Sequence, residues 1–139
     1  MTFFPERRDA GEVFAEAVAL QEAGRYAPAI AALKRFLALE PQHADAHSRQ
    51  GWLLWRTGQL DESLAAHQRA TQLAPNHAAV WSNYGVALQA KGRHDEALEV
   101  LRHAVRLDPD LADAQVNLGL DYYGRGMGED AIACFRRAV

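Results

Sequence analysis

Two histidines are spaced as a pair of metal ligands on a helix would be. His43 and His47 stand four residues apart in His-Ala-Asp-Ala-His, a spacing that can present two imidazoles to one zinc ion. No glutamate or cysteine stands between them or directly beside them. In addition, His43 recurs as His77, which is typical of a repeated loop position. We therefore predict no metal site.

Three other groups of residues could do chemistry, and each has a simpler structural explanation. Gly124, Gly126 and Gly128 resemble a phosphate-binding loop, but no Gly-Lys-Ser follows and the segment joins two predicted helices. Cys134 lacks a base that would activate it, so we predict a small packing residue. Paired acids such as Asp61-Glu62 recur at predicted helix starts, where capping comes first. We predict no catalytic residue and no cofactor.

The elements that carry these residues repeat along the chain. Three prolines follow one another at intervals of 34 residues, and the residues around them recur in the same register. The recurring residues are Pro41, Pro75 and Pro109; Leu39, Leu73 and Leu107; Gly24, Gly58, Gly92 and Gly126; Gly51, Gly85 and Gly119; and Ala29, Ser63, Ala97 and Ala131. A period of about 34 residues predicts an array of helix–turn–helix units.

Each unit is predicted to hold two helices that a glycine-centred turn joins and a proline ends. Gly51, Gly85 and Gly119 lie inside predicted helices, where glycine costs about 1 kcal/mol relative to alanine. We therefore expect a neighbouring helix to approach closely at these glycines, and at Ala17 in the first unit. The later second helices open with acids that can cap free amides, and Pro28 opens the first.

These residues resemble the tetratricopeptide repeat family from about Ala10 to Val139. The third unit carries the family's motif at the family's spacing: Trp81, Tyr84, Gly85, Leu88, Gly92, Ala97, Ala104 and Pro109. The departures from the pattern are His47 and Gln115 in place of tryptophan, His67 in place of a large apolar residue, and Gly128 at the start of the last helix. The resemblance implies an all-α solenoid of four helix–turn–helix repeats in a right-handed superhelix.

The period also divides the chain. We expect an N-terminal arm over residues 1–9 and a repeat domain over residues 10–139, with repeats at 10–43, 44–77, 78–111 and 112–139. The fourth repeat lacks the closing leucine and proline, so we expect it to be truncated, with more protein or another chain beyond it. Apolar residues predict that both ends can stack on other chains: Phe3, Phe4, Val13 and Phe14 at one end, and Ile132, Phe135, Ala138 and Val139 at the other.

The resemblance implies a binding surface on the concave side, which in this family is lined mainly by the first helix of each unit. Arg49, Trp52 and Arg56 share one helical face by their spacing. The predicted peptide-binding residues are Arg49, Trp52, Trp55, Arg56, Asn83, Gln89, Asn117, Leu120 and Tyr123. The two tryptophans could be ligand platforms or fillers between helices. Trp81 and Tyr122 are predicted to pack inside their own units.

Asn83 and Asn117 each precede a repeated helix glycine by two residues and resemble the asparagine ladder of O-linked N-acetylglucosamine transferases. An asparagine amide both donates and accepts, so it can hold the backbone of an extended peptide. The alternative is that both are ordinary solvated groove residues. Arg49 and Ala15 interrupt the ladder in the first two units. Clamping of a carboxylate tail, as in chaperone-binding relatives, is disfavoured because Asp113 would repel it.

Composition narrows the classes of partner. The 139 residues carry a formal net charge of −3 and no basic stretch interleaved with aromatics, which argues against nucleic-acid binding. No membrane segment or secretory apolar core is evident. Cys134 is the only cysteine, which excludes an intrachain disulfide and fits a reducing compartment. We expect a cytoplasmic protein.

We therefore predict a non-catalytic scaffold for protein–protein interaction that binds an extended peptide or partner segment in its concave groove. Two alternatives stay open at this point. The chain could be the N-terminal, substrate-presenting region of a larger enzyme, such as a bacterial glycosyltransferase resembling the O-linked N-acetylglucosamine transferases. It could also be a homo-oligomeric assembly module that stacks through its solenoid ends.

Overall fold

A computed structural model describes residues 9–139, which form four successive helix pairs. The first helices of the pairs are α1 (Ala10–Glu22), α3 (Ala44–Arg56), α5 (Ala78–Ala90) and α7 (Ala112–Gly124). The second helices are α2 (Tyr26–Leu39), α4 (Leu60–Leu73), α6 (His94–Leu107) and α8 (Gly128–Ala138). The first helices begin at 34-residue intervals. The prediction of an all-α solenoid of helix–turn–helix repeats is confirmed.

A glycine in the left-handed region ends the turn inside each pair. Gly24, Gly58, Gly92 and Gly126 have φ angles of 75°, 80°, 85° and 76°. Glycine adopts this conformation without the steric cost that a β-carbon would bring. In the third pair, the backbone N–H of Arg93, the residue after Gly92, donates to the Leu88 carbonyl at 2.9 Å. The turn therefore stays short and holds the second helix against the first.

The glycines within the first helices mark the closest approach inside a pair. A β-carbon on Gly85 would lie 2.6 Å from Leu101 Cδ2, and one on Gly119 would lie 2.6 Å from Phe135 Cε1. At Gly51 it would lie 2.7 Å from three ring atoms of His67. The expected close approach is confirmed, and the neighbour is the second helix of the same pair.

One hydrogen bond recurs where each closing proline meets the next first helix. The donors differ in shape but share an N–H group: Trp81 Nε1 to the Pro75 carbonyl at 2.7 Å, Gln115 Nε2 to Pro109 at 2.8 Å and His47 Nε2 to Pro41 at 2.9 Å. Trp81 also meets the His103 ring of its own pair edge-on, with 4.6 Å between centroids. Its predicted place between the two helices of its unit is confirmed, although the indole is only half-buried.

Two other packing predictions are also confirmed in the last pair. Cys134 is buried against Leu101 and Leu118, and burial raises the pKa of its thiol, with Asp130 adding to the effect. Tyr122 is half-buried against the same cluster, and its hydroxyl accepts from Arg102 Nε at 3.1 Å. The thiol is therefore a protonated packing group.

The N-terminal end is less exposed than the sequence predicts. Val13 belongs to the first core cluster, and the Phe14 ring lies 4.9 Å from the Phe36 ring. Both side chains therefore cover the first pair, and the prediction that they form an open apolar end is wrong. Phe3 and Phe4 lie outside the described residues.

The acids at the starts of second helices do not cap. No side-chain cap bond is present at α4, α6 or α8. Instead, Asp61 pairs with Lys91 at 2.8 Å and Asp95 pairs with Arg125 at 3.2 Å, each joining a second helix to the segment after the next first helix. The capping prediction is wrong, and at α4 and α6 a carboxylate instead reaches a cation of the following repeat. Such exposed pairs contribute little to stability, because water and salt screen them.

We expect Gly85→Ala to lower the free energy of unfolding by about 1–3 kcal/mol, because its β-carbon would overlap the Leu101 side chain. Gly124→Ala is the matched control, since nothing lies within 4 Å of a β-carbon there. It should be neutral or should stabilise by up to about 1 kcal/mol. Chemical denaturation of both variants measures the difference, and equal stabilities would contradict the close-approach assignment.

Candidate binding groove

The helix contacts show which side of the solenoid is concave. The first helices touch from one repeat to the next, α3 against α5 and α5 against α7. Within residues 9–139, no two second helices make comparable contact. The first helices therefore lie closer together, on the inner side, while the second helices spread on the outer side. A groove lined by first helices is where such arrays offer an extended binding surface.

Two adjoining pockets lie between α3 and α5 in this groove and share Trp52 and Asn83. The first, which we call the polar pocket, has a volume of about 180 Å³ and is lined by Gln21, Asp45, Ser48, Arg49, Trp52 and Asn83. The second, which we call the indole pocket, has a volume of about 140 Å³ and is lined by Trp52, Trp55, His67, Asn83, Val86 and Ala87. Four of the nine predicted peptide-binding residues thus meet at one place.

Arg49 already has partners for most of its side chain within the polar pocket. Its Nε donates to Asp45 Oδ2 at 3.0 Å, and its Nη1 donates to Gln21 Oε1 at 3.3 Å. Its guanidinium carbon lies 5.7 Å from the centre of the Phe14 ring. Because a carboxylate already compensates its charge, Arg49 chiefly links α1 to α3.

Arg56 is the exposed cation of this region. Its guanidinium carbon lies 5.7 Å, 5.6 Å and 5.9 Å from the ring centres of Tyr26, Trp52 and Trp55. No ion pair joins Arg56 to an acid in the described part of the chain. Cation–π contacts leave the N–H edge of a guanidinium able to donate to a carboxylate. An uncompensated positive charge therefore lies beside these three rings.

The two groove asparagines connect adjacent first helices. Asn83 Nδ2 donates to Ser48 Oγ at 3.4 Å, and Asn117 Nδ2 donates to Ser82 Oγ at 2.9 Å. Both serines are buried. Each asparagine thereby uses one of its two N–H groups between repeats and keeps its amide oxygen for other partners. The sequence analysis assigned no role to these serines, although their 34-residue recurrence one position before Arg49 and Asn83 was the available signal.

The remaining predicted residues lie further along the groove. A cleft of about 470 Å³ is lined by Gln89, His94, Leu120, Asp121, Gly124 and Arg125. Gln89 Nε2 donates to Asp121 Oδ1 at 3.1 Å, while Leu120 is exposed. Tyr123 is 73% exposed. The structure thus separates the predicted residues into a set between α3 and α5 and a set at α7.

Asp121 is a buried carboxylate that sequence analysis missed. It occupies the repeat position that holds Leu53 and Ala87 in the two preceding units. A charged residue at a position that is otherwise apolar was the signal that could have revealed it. Arg125 Nε donates to its Oδ2 at 2.8 Å, and this bond, with the contact to Asp95, raises the pKa of Arg125. Gln89 bonds its other oxygen. These partners satisfy the hydrogen-bonding groups of both Asp121 and Arg125. Because the bonds reach Gln89 and Asp95, the network holds α7 against the third pair.

His67 is a buried polar group without a partner. It is 2% exposed, and its ring occupies the repeat position of Leu33 and Leu101. No hydrogen bond reaches either ring nitrogen within the described residues, and Nδ1 is fully buried. Burial lowers the pKa of His67 to about 4. The imidazole is therefore neutral at neutral pH and forms part of the wall of the indole pocket.

The histidine pair of the sequence has structural partners. His43 Nδ1 accepts from the Ala46 N–H at 3.1 Å and so caps α3, while its ring packs on Phe14 and Phe36. Residues 9–139 contain no group of three or more histidine, cysteine or acidic side chains arranged to hold a metal ion.

None of the helices in this range has the length and apolar character that a membrane crossing requires.

The paired helices and the groove between first helices define a helical-repeat scaffold for protein–protein interaction. The model of a tetratricopeptide repeat family matches residues 14–78 and 49–112. The chain therefore belongs to the tetratricopeptide repeat family.

Comparison with solved structures gives the same fold. A structure described as MamA 41-end from Desulfovibrio magneticus RS-1 superposes with a TM-score of 0.85 at 24% identity, over 96% of this chain and 75% of that one. A crystal structure of MamA protein has a TM-score of 0.81 at 25% identity, over 94% of this chain and 71% of that one. No curated protein matches the sequence significantly.

We expect the stability of the protein to fall by roughly 3 kcal/mol between about pH 6.5 and pH 4, through His67 alone. The folded state keeps this imidazole neutral down to a pKa of about 4, whereas the unfolded chain takes up a proton near 6.5. His67→Leu should remove that part of the pH dependence. It should also stabilise the fold at neutral pH by about 1–3 kcal/mol, because an unpaired buried polar group is lost.

Urea unfolding at several pH values measures both effects. His77→Gln is the control, because His77 is exposed and makes no side-chain cap bond, so the wild-type dependence should persist. A His67→Leu variant with the wild-type pH dependence would show that burial of this imidazole is not the cause.

Proposed function

We propose that this protein is a non-catalytic scaffold that binds an extended segment of a partner protein across α3 and α5. The observation that carries the proposal is the pair of adjoining pockets that share Trp52 and Asn83 on the concave side. A chain that crosses both pockets could place successive side chains in a polar and an apolar environment. Such alternation suits an extended segment, whose neighbouring side chains point in different directions.

Asn83 supports backbone recognition in this arrangement. Its amide spends one N–H on Ser48, while its oxygen and second N–H have no partner in the described residues. These two groups match the N–H and C=O of a peptide unit. We assign Asn83 as the backbone contact, and Asn117, whose amide is bound to Ser82 in the same way, as a second contact further along.

Arg56 supports a preference for an acidic residue in the bound segment. Its guanidinium is held by three aromatic rings and lacks an acidic partner in the described residues. A carboxylate beside it gains a charge-assisted hydrogen bond without breaking an existing ion pair. The favoured ligand is therefore an extended segment with an acidic residue close to a residue that fills the indole pocket.

We expect peptides selected on this protein from a random display library to be enriched in acidic residues. Arg56→Ala should weaken the binding of a selected peptide about tenfold, because a hydrogen bond to a charged group is lost. Asn83→Ala should weaken it about threefold to tenfold. Isothermal titration calorimetry measures these affinities, and circular dichroism checks that the variants remain folded.

Arg69→Ala is the matched control for Arg56→Ala. Both variants remove one exposed arginine, but Arg69 lies on α4 and bonds only to Gln72 in the described residues. Equal losses from Arg56→Ala and Arg69→Ala would mean that net charge, not the groove, governs binding. An unchanged affinity of Asn83→Ala would remove the backbone contact from the proposal.

We also infer a second candidate function, self-association through the last helix pair. Large exposed apolar side chains of the described region concentrate there: Val116, Leu120, Tyr123, Met127, Ile132 and Val139. Leu39 is the exception, on α2. Exposed apolar side chains concentrated on one helix pair favour contact with another protein surface. A second copy of the chain is the occupant that this candidate function names.

We expect Ile132→Asp to lower any concentration-dependent increase in mass, because it places a charge among the exposed apolar side chains of the last helix pair. Leu39→Asp is the control, since Leu39 is exposed to a similar degree, 55% against 51% for Ile132. Sedimentation equilibrium over a range of concentrations measures the association. A wild-type protein that stays monomeric throughout, or equal effects of the two substitutions, would contradict self-association through the last helix pair.

A further inference from the structure

We propose that the indole pocket is a specificity pocket for a tyrosine side chain, whose phenol hydroxyl forms a hydrogen bond with the imidazole of His67. The inference rests on the proposed function, since the tyrosine belongs to the segment that crosses the groove. It adds the identity of one residue in that segment. Three features of the pocket lead to it: its size, its lining and the unpaired imidazole.

The volume of the pocket suits one aromatic ring. It measures about 140 Å³, and an apolar cavity of about 150 Å³ is large enough to bind benzene. A serine or threonine side chain would leave most of this space empty, and a tryptophan would exceed it. The pocket therefore has room for one six-membered ring.

The lining favours an aromatic ring over a charged group. Trp52 and Trp55 contribute indoles, and Val86 and Ala87 contribute aliphatic surface. Aromatic rings gain from edge-to-face and offset contacts with indoles. A carboxylate or an ammonium group would lose its hydration here, and no lining side chain carries a charge to compensate it, since His67 is neutral at neutral pH.

The unpaired imidazole separates tyrosine from phenylalanine. A neutral imidazole has one N–H donor and one acceptor nitrogen, and neither is used within the described residues. Nδ1 is fully buried, so Nε2 is the nitrogen that a phenol hydroxyl can meet, as donor or acceptor according to the tautomer, whereas a phenyl ring leaves it unpaired. Packing alone does not require a histidine, because Leu33, Leu101 and Phe135 fill the same repeat position.

The ring of His67 has little freedom to leave the pocket wall. A β-carbon on Gly51 would lie 2.7 Å from three of its ring atoms, so the glycine backbone and the ring are in close contact. The imidazole is thus held against α3 beside Trp52 and Trp55. A fixed polar group within an apolar pocket discriminates between ligands of similar shape, because a poorly matched ligand leaves it unpaired.

The test compares p-cresol, the side-chain analogue of tyrosine, with toluene, the side-chain analogue of phenylalanine. Each is titrated into the wild-type protein and into His67→Leu, with binding followed by tryptophan fluorescence and by NMR of the histidine ring. We expect p-cresol to bind the wild-type protein about threefold to tenfold more tightly than toluene, the range of one neutral hydrogen bond. We expect His67→Leu to lose or reverse this preference while remaining folded, since leucine occupies the equivalent position in two other repeats.

Equal binding of p-cresol and toluene to the wild-type protein would overturn the inference, as would a preference that persists in His67→Leu. Failure of p-cresol to bind at all would overturn it too. A tyrosine-to-phenylalanine change in a selected peptide gives a second readout, and an unchanged affinity would count against the inference.

The small-molecule titration also separates this inference from the proposed function. If selected peptides bind through Arg56 and Asn83 but p-cresol shows no preference, only the tyrosine assignment falls. If p-cresol binds through His67 but no peptide is selected from the library, the pocket chemistry stands and extended-peptide binding falls.

Discussion

The contact between the two helices of each pair is the constraint on which the rest of the structure depends. At Gly51, Gly85 and Gly119 the facing side chain occupies the place of a β-carbon, at 2.6 or 2.7 Å. Glycine weakens a helix by about 1 kcal/mol, and the packing that it permits offsets that cost. Because the pairs are rigid units, successive first helices meet on one side, and the groove follows from their repetition.

Polar groups in the groove are of two kinds: those that bond adjacent repeats together and those that remain able to bond a ligand. Ser48, Ser82 and Asp121 are buried and hydrogen-bonded to the adjacent first helix or to the turn after their own helix. Arg56 and the amide oxygen of Asn83 have no polar partner in the described region, although they lie beside the same pockets. A binding surface built in this way is preorganised, because the groups that position it are already satisfied and the groups that bind need little rearrangement.

Much of the fold could be predicted from spacing, but the partners of individual side chains could not. The 34-residue period placed the helix pairs, the turn glycines and the packing of Trp81. The acids at the second helices were assigned to caps, whereas Asp61 and Asp95 pair with cations of the next repeat. Val13 and Phe14 were assigned to an open end, but Val13 lies in the first core cluster and Phe14 packs against it. These errors share a cause, since each concerns a contact between elements whose relative position the period does not specify.

The sequence by itself determined the fold class and the repeat length, because helical periodicity and repeated glycines and prolines act locally, and the resemblance to the repeat family indicated that first-helix side chains line the groove. Only the tertiary structure decided which of those side chains are engaged. It placed Asn83 and Asn117 on buried serines, gave Arg49 a carboxylate and left Arg56 over three rings. It also showed that His67 is buried without a partner beside two indoles. The physical reason is that hydrogen bonds and burial depend on distances between helices. The local sequence pattern does not specify those distances for individual side chains.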